Sequence, residues 1–542
     1  MYPAGSLRKT NNTSLLFLVI PMVLSAFTHL WNPIGFPAVH LDEGIYLRRA
    51  MHVLEGLGPQ EADFRYDHPY FGQIFLAGVL GLVGFPNSVV ASPSSFSSSS
   101  AAENVHSIEM LYLVPRVLMG ILAIVDTFLV YKIAEFRYNR NVALIAAILF
   151  AVMPLTWLIR RILLDSILLP FLLSSILFSI YIRRNPIKNS RNNVIKTSND
   201  HQHHLHRNKI AIILISGVLL GVAIFTKIPA FTMIPLVGFL IYTNSGRSLR
   251  ALGLWFIPVI AIPLIWPAYA ISVGQLDQWI DGIFWQAERQ NKPLSDAYLM
   301  FFQIDPVLLI LGIAGIIFAV LKRDLFIVLA TVPFLIFLYG IGYVSHFHWI
   351  PVFPAFCIAG GNLIIYLSGR IDNKKLQRLL PFATIAAIGI FGLVSTIILV
   401  TTNVNTSYFQ VYAFIAQHLP TLKQNDYDSN DMVTMVGNHW IQGFSWIPKY
   451  VLGKDHVFKK FNTIGHPIKT EKVLLVVDRT MLRSISEGIP DKQIAKIKIL
   501  YNKSKTLGIF NDTANQYDHN TYPYTSMDEN RGIGLLEIRA NY

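Results

Sequence analysis

"YFGQIFLAGVLGLVGF", Tyr70 to Phe85, is apolar enough to enter a membrane and short enough to lie on one. Which of the two it does decides the fold, because a crossing here would move every later loop to the other side. The remaining apolar runs are Ser14–Leu30, Leu111–Lys132, Val142–Trp157, Leu163–Tyr181, Ile210–Phe225, Ala230–Tyr242, Ala251–Ala270, Pro306–Leu321, Leu325–Tyr343, Ile350–Leu367 and Leu379–Thr401. Charge settles the question. With Tyr70–Phe85 kept out of the count and Arg8 and Lys9 inside, the basic stretches Lys132–Asn141, Arg183–Lys196, Gly246–Arg250, Lys322–Asp324 and Gly369–Lys375 all fall inside. That is the arrangement the positive-inside rule requires, and a crossing would reverse all of it. The segment is therefore read as a helix on the outer surface.

Composition agrees. The 542 residues are 53% hydrophobic and only 14% charged, with a mean hydropathy of +0.45. Soluble chains carry about a quarter charged residues. The expected fold is an α-helical polytopic membrane protein of about eleven transmembrane helices with outer-surface juxtamembrane helices. The net charge of +13 is explained by loops between spans, and none of the basic-aromatic motifs of nucleic-acid binders occurs. Cys357 is the single cysteine, which excludes a disulfide framework and a cysteine metal site within one chain. The first apolar run has no small-residue cleavage site and reads as a retained span.

From about Asn403 the chain turns polar. Its apolar runs "MVTMVG", "KVLLVVD", "IKILY" and "GLLEI" have strand length, and "YFQVYAFIAQHLP" (Tyr408–Pro420) reads as a helix. Two domains are expected: residues 1–402 in the membrane and 403–542 as a small C-terminal α/β domain outside. Sequons at Asn405, Asn502 and Asn511 fit that side. "SPSSFSSSS" (Ser92–Ser100) reads as a flexible outer loop. "HQHHLHR" (His201–Arg207) has the residue type of a metal site, but it lacks fixed partner ligands and reads as a polar loop on the inner side.

This topology sorts polar residues at span ends onto the outer face. They are Asp42 and Glu43, "YDHP" (Tyr66–Pro69), Arg116, "RRILLD" (Arg160–Asp165), Thr226-Lys227 and "HFH" (His346–His348). Ionisable groups beside apolar segments are costly and mark functional sites. Each also has a plain alternative. Arg116 and Lys227 can snorkel to the interface. Arg160 and Asp165 can pair at a tight turn. His346 and His348 can be interfacial beside Trp349. Asp42 can cap the helix that starts at "EGIYLRRA". Taken together, carboxylates beside cations at a membrane surface suit glycosyl transfer from a lipid-linked sugar. A carboxylate serves as general base for the acceptor hydroxyl, and cations stabilise the leaving phosphate. No Walker A or dinucleotide fingerprint is present. A lipid-linked-sugar transporter is the reading from another class. It should show internal repeats and broken mid-membrane helices, and no convincing repeat is evident.

Four blocks, in order, carry a family resemblance: "DEGIYLRRA", "YDHPYFGQIFLA", "LVPRVLMGILAIVDTFLVYKIAEF" and "LIRRILLDSILLPFLL". They resemble the protein O-mannosyltransferase family, among the membrane glycosyltransferases of GT-C fold, over roughly residues 10–370. The resemblance implies Asp42 as catalytic base and Glu43 as the acidic neighbour that positions acceptor or base. It implies Arg116, Arg160, Lys227 and His346 as donor-phosphate contacts, with His68, Asp165 and His348 as acceptor or structural support. His68-Pro69 matches the start of a His-Pro-Pro-Leu stretch, although Tyr70 and Phe71 follow here. The family's eukaryotic members carry a β-trefoil in an outer loop. This chain has only Ser272–Asp305 there, so it looks like an archaeal or bacterial relative. The implied activity is inverting transfer of mannose or another hexose from a polyprenyl-phosphate carrier to protein Ser/Thr; lipid and cell-surface glycan acceptors are the alternatives. The implied partners are the donor, a protein or lipid acceptor and membrane lipids, with a dimer as an option; a divalent metal is not indicated. The expected location is the cell membrane, N-terminus cytoplasmic and C-terminal domain outside.

Overall fold

The structure is a computed structural model. It describes residues 12–61, 64–90, 96, 99–182, 199–289, 293–418, 433–437, 439–453, 461–463, 472–487, 492–511 and 535–540. The basic loop 183–196, most of Ser92–Ser100 and the side chains of His201–Arg207 lie outside the described residues.

The chain begins with α1 (Asn12–Leu30), α2 (Leu41–Leu54), α3 (Phe71–Leu82), α4 (Ala101–Arg137), α5 (Arg140–Val152), α6 (Leu164–Tyr181) and α7 (Asn199–Thr226). It continues through α8 (Ile234–Asn244), α9 (Leu249–Ala261), α10 (Ile265–Ser272), α11 (Leu276–Ala287), α12 (Leu294–Ile304), α13 (Pro306–Leu321), α14 (Leu325–Gly340), α15 (Phe353–Ser368) and α16 (Lys374–Val400). Short 3-10 turns over Pro154–Arg160, Ile228–Met233 and His346–Val352 each carry polar residues at a helix end. Each of the eleven apolar runs read above as a span is largely helical. Among the described residues, six helices are long and apolar enough to cross a membrane, or up to 8 when two bent pairs are counted as spans. The protein is a multi-pass membrane protein. The helices over 16–30, 228–244 and 325–340 are shorter. The 12 residues of α3 extend about 18 Å at 1.5 Å per residue, well under a hydrocarbon core of about 30 Å.

Charge segregates to the two ends of the bundle. At one end Arg137 donates to Asp324 (2.8 Å), the Tyr138 hydroxyl joins the same carboxylate, and Lys322 and Arg370 flank Tyr366. Arg116, near the middle of the long helix α4, is about 30 Å away along it, at the other end of the bundle. α4 itself starts ten residues earlier than its apolar run, because Ser100 and Glu103 form a reciprocal cap that launches the helix from the loop.

The C-terminal part follows α16 through α17 (Thr406–His418) to a five-stranded sheet in the order β2-β1-β3-β5-β4. Its strands are β1 (Val433–Gly437), β2 (Phe461–Thr463), β3 (Lys472–Asp478), β4 (Lys505–Asn511) and β5 (Leu535–Ala540). β1 pairs in parallel with β2 and β3, and β5 is antiparallel to β3 and β4. Alternation along β3 separates two faces, as strand geometry requires. Val473, Leu475 and Val477 pack on α18 (Arg479–Ser486) and α19 (Lys492–Lys503). Leu474 and Val476 instead share a core with Leu47, Tyr112, Tyr408 and Phe444; the sheet packs on α17 and the 3-10 turn His439–Phe444, and these in turn pack on α4 and α2. "IKILY", read above as a strand, belongs to α19. Ile497, Leu500 and Tyr501 recur at helical spacing and cover the sheet, leaving Ile499 outside.

Candidate active site

Between α1 and α2 the chain forms an irregular loop, Trp31–His40, held by polar side chains from far along the sequence. Asn32 Nδ2 donates to the Val400 and Thr402 carbonyls at 3.1 and 3.0 Å. Asn405, fully buried, donates to the Ile34, Gly35 and Pro37 carbonyls and accepts from Val39 N–H at 2.9 Å. The sequon at Asn405 is therefore not a glycan site in this fold: its amide is enclosed and engaged in hydrogen bonds.

α2 begins at Leu41, and His40 is its cap. His40 Nδ1 accepts from Asp42 N–H at 3.2 Å, and the Glu43 carboxylate accepts from His40 N–H at 2.8 Å. Asp42 is thus not the cap; it sits inside the first turn with its carboxylate clear of the helix end. Asp42 Oδ2 comes within 3.8 Å of His40 Nδ1, but that nitrogen is already an acceptor. Among the described residues no donor hydrogen-bonds the Asp42 carboxylate. Burial raises its pKa above the usual carboxylate value, against the opposing charges of Lys227 and His68, and the nearby Asp67 adds to the rise.

Glu43 is the opposite case. It is fully enclosed and takes a two-pronged bond from Arg116, Nε to Oε1 at 3.0 Å and Nη2 to Oε2 at 2.8 Å. Ile162 N–H adds a bond at 3.1 Å. Arg116 Nη1 donates to the Pro33 and Pro37 carbonyls. Burial would raise the Glu43 pKa, but Arg116 outweighs it and holds the carboxyl below its ordinary range. The pair clamps the loop, α2 and α4 together, and both partners are engaged with protein groups.

The remaining cations line the same end. Lys227 donates to Asp165 at 2.6 Å, both side chains almost fully buried, and lies 5.1 Å from the centre of the Phe347 ring. The Arg160–Asp165 pair offered above as the plain alternative is absent among the described residues. Arg160 instead turns to the Trp31 carbonyl, and its Nε and Nη1 meet no acceptor among the described residues. Its neighbour Arg161, not singled out in the sequence, faces the Asp42 side. Arg161 Nη1 donates to His346 Nε2 at 3.3 Å, and Nη2 donates to the Ala38 carbonyl. A guanidinium only donates, so His346 accepts through Nε2. Burial lowers Arg161 to about 10, which leaves it cationic at neutral pH. His68 is held neutral by burial, its pKa about 4, and Asp67 is bound by Arg49 at 2.7 Å. His348 lies within electrostatic reach of Lys227, His68 and His346. So does Arg289, a second residue the sequence reading missed, which also acts on Asp42. Arg289 stacks on Tyr343 at 3.4 Å, just past α11. In the sequence it is one of two cations in "ERQNK" (Glu288–Lys292), with nothing to set it apart.

Asp42, His68, Asp165, Lys227, His346 and His348 are therefore gathered at one end of the bundle, with Arg161 and Arg289 added. Deeper in, about two to three helical turns beyond Asp165 and His346, an apolar crevice lined by Leu172, Ile176, Met233, Leu236, Pro354 and Ile358 continues to Ile133 and Phe326, near the Arg137–Asp324 end of the bundle. Among the described residues no group of three His, Cys, Asp or Glu side chains is placed to hold a metal.

Residues 60–245 match the family model for dolichyl-phosphate-mannose-protein mannosyltransferase. No curated protein matches the sequence. The fold is similar to that of the archaeal oligosaccharyltransferase AglB from Archaeoglobus fulgidus, solved with an inhibitory peptide and a dolichol-phosphate. The two are 11% identical with a TM-score of 0.51, over 93% of this chain and 74% of that one. It is also similar to ArnT from Cupriavidus metallidurans in the apo state, 12% identical with a TM-score of 0.50, over 97% of both chains. At these identities the likeness shows the fold, which is GT-C, and the family model adds the resemblance to protein O-mannosyltransferases.

Proposed function

We propose that the chain is an inverting glycosyltransferase that takes a sugar from a polyprenyl-phosphate carrier at the outer membrane face and places it on an acceptor hydroxyl. One observation carries the reading. Of the carboxylates gathered at this end, Glu43 is bound by Arg116, Asp67 by Arg49 and Asp165 by Lys227, whereas Asp42 accepts no hydrogen bond among the described residues. A general base needs a free lone pair and a pKa raised toward working pH, and Asp42 has both.

In this mechanism Asp42 takes the hydroxyl proton as the acceptor oxygen bonds to the anomeric carbon. The bond from that carbon to the phosphate oxygen breaks on the opposite face, so configuration inverts. The polyprenyl phosphate leaves with the electron pair. Arg161, Lys227 and Arg289 supply positive charge for it, and His346 is oriented by Arg161. The carrier chain would run into the apolar crevice below Lys227. The sugar is a hexose, with mannose the first to test, and the acceptor hydroxyl is that of protein Ser or Thr. The cell membrane is the proposed location, with Asp42 and the C-terminal sheet outside and residues 403–542 a separate domain.

Incubation of the purified protein with dolichyl-phosphate mannose and other polyprenyl-phosphate hexoses, followed by mass spectrometry of candidate acceptors, tests the reading. Donor consumption with a mass gain of one hexose on an acceptor is expected. No consumption of any donor by inserted protein would refute it.

A further inference from the structure

The C-terminal part touches the first turn of α2 at a point where two glycines meet. A Cβ on Gly44 would lie 2.0 Å from the Gly443 carbonyl oxygen and 2.4 Å from its carbon. A Cβ on Gly443 would lie 2.7 Å from Val39 Cγ1 and 3.1 Å from the His40 carbonyl oxygen. Neither glycine has a positive φ, so what both positions require is the absence of a side chain. Gly443 belongs to the 3-10 turn His439–Phe444, which packs along α2.

The contact is locked from α4. The Tyr112 hydroxyl donates to the Gly443 carbonyl at 2.5 Å and accepts from Trp446 Nε1 at 3.2 Å. Arg116, one helical turn further along α4 on the same face, holds Glu43. A single face of α4 therefore grips both sides of the glycine contact. Asp42 lies two residues before Gly44 and one before Glu43. Tyr412 stacked on Phe444 (4.3 Å between centroids) and the bonds of Asn405 to the Trp31–His40 loop secure the same corner.

From this geometry we infer that the C-terminal part is a positioning element of the catalytic loop, with Gly443 and Tyr112 as positioning residues that set where the Asp42 carboxylate stands. The inference rests on Asp42 as the base. α2 begins at an irregular loop, so its pitch is set by what it leans on, and it leans on the backbone of Gly443. The C-terminal part then serves transfer itself, whatever it does for acceptors. A displacement of about 1 Å of a reacting group can cost on the order of 100-fold in rate.

The test uses the full chain with dolichyl-phosphate mannose and a Ser/Thr-rich acceptor peptide, reading release of dolichyl phosphate across pH, alongside hydrogen exchange at the amides of residues 41–45. Gly443→Ala should lower kcat by roughly 10- to 100-fold with donor KM within about two-fold. The acid limb of its pH profile should move, because the surroundings of Asp42 change. A loss of active fraction alone lowers kcat without moving that limb. Tyr112→Phe removes only the hydroxyl and reads the same contact if Gly443→Ala fails to insert. It should speed exchange at residues 41–45 and move the limb in the same sense. Wild-type limb position and exchange in Tyr112→Phe would overturn the inference. If wild-type protein consumes none of the polyprenyl-phosphate hexoses, the function reading falls, and the exchange measurement still decides the contact.

Discussion

Arg116 and Glu43 face each other across the join of two helices with no solvent access, joined at 2.8 and 3.0 Å. Breaking such a pair leaves a buried charge, at a cost of about 3–5 kcal/mol. Glu43→Gln and Arg116→Met should each lower the unfolding free energy by about that much. The double variant should lose less than the sum. Denaturant or thermal unfolding in detergent measures the cycle, and additive losses would show that the pair is not coupled.

The same pair implies an acid limit on stability. Glu43 has a lower pKa folded than unfolded, so its contribution is complete above the unfolded value of about 4.3 and is lost as pH falls through the folded value. Apparent melting temperature should decline on acidification below that point, and Glu43→Gln should flatten the decline. An unchanged acid slope in the variant would count against the clamp.

Asp42→Asn preserves shape and removes basicity. Donor should still bind, while transfer should fall by about 100- to 10,000-fold, the usual worth of a general base. In wild-type protein kcat/KM should fall as pH drops through a raised Asp42 pKa, above the ordinary value near 3.9. Transfer near the wild-type rate in a folded Asp42→Asn protein would sink the mechanism.

Arg161 and Arg160 are adjacent and should behave differently. Arg161 bonds His346 and faces the Asp42 side, whereas Arg160 reaches the Trp31 carbonyl. Arg161→Met should weaken donor use by one to two decades, since a charge-assisted hydrogen bond is worth about 1.5–3 kcal/mol. Arg160→Met should leave donor KM and kcat within about three-fold. Steady-state kinetics on both would decide, and the reverse pattern would hand the donor role to Arg160.

Orientation is testable at exposed positions. Cysteines replacing Ser88 and Asn502, both exposed, should react with an impermeant thiol reagent on intact cells. One replacing Arg247, exposed in a basic turn, should react only after lysis. The native Cys357 is buried and should stay silent. Labelling in the opposite order would invert the map.

The sequence by itself determined the class of the fold and the side of the bundle on which the site lies. Both rest on properties that neighbouring residues carry without a partner. The length of an apolar run, the basic residues between runs and the alternation in "KVLLVVD" can each be read within a few residues. Hence the helices over the eleven apolar runs and the gathering of Asp42, His68, Asp165, Lys227, His346 and His348 were legible. Tertiary structure decided what each polar side chain does there. Asp42 and Glu43 are adjacent and chemically alike, yet Arg116 and Ile162 N–H, far along the chain, engage only Glu43. Arg160 and Arg161 are identical in type and diverge because the turn after the 3-10 segment points them apart. Asn405 carries a sequon and is instead a buried clasp. Gly443 shows its purpose only beside Gly44, some 400 residues earlier. A hydrogen bond has direction and a carboxylate has few lone pairs. Which of two like groups is left free is therefore fixed by distant partners that no local pattern contains.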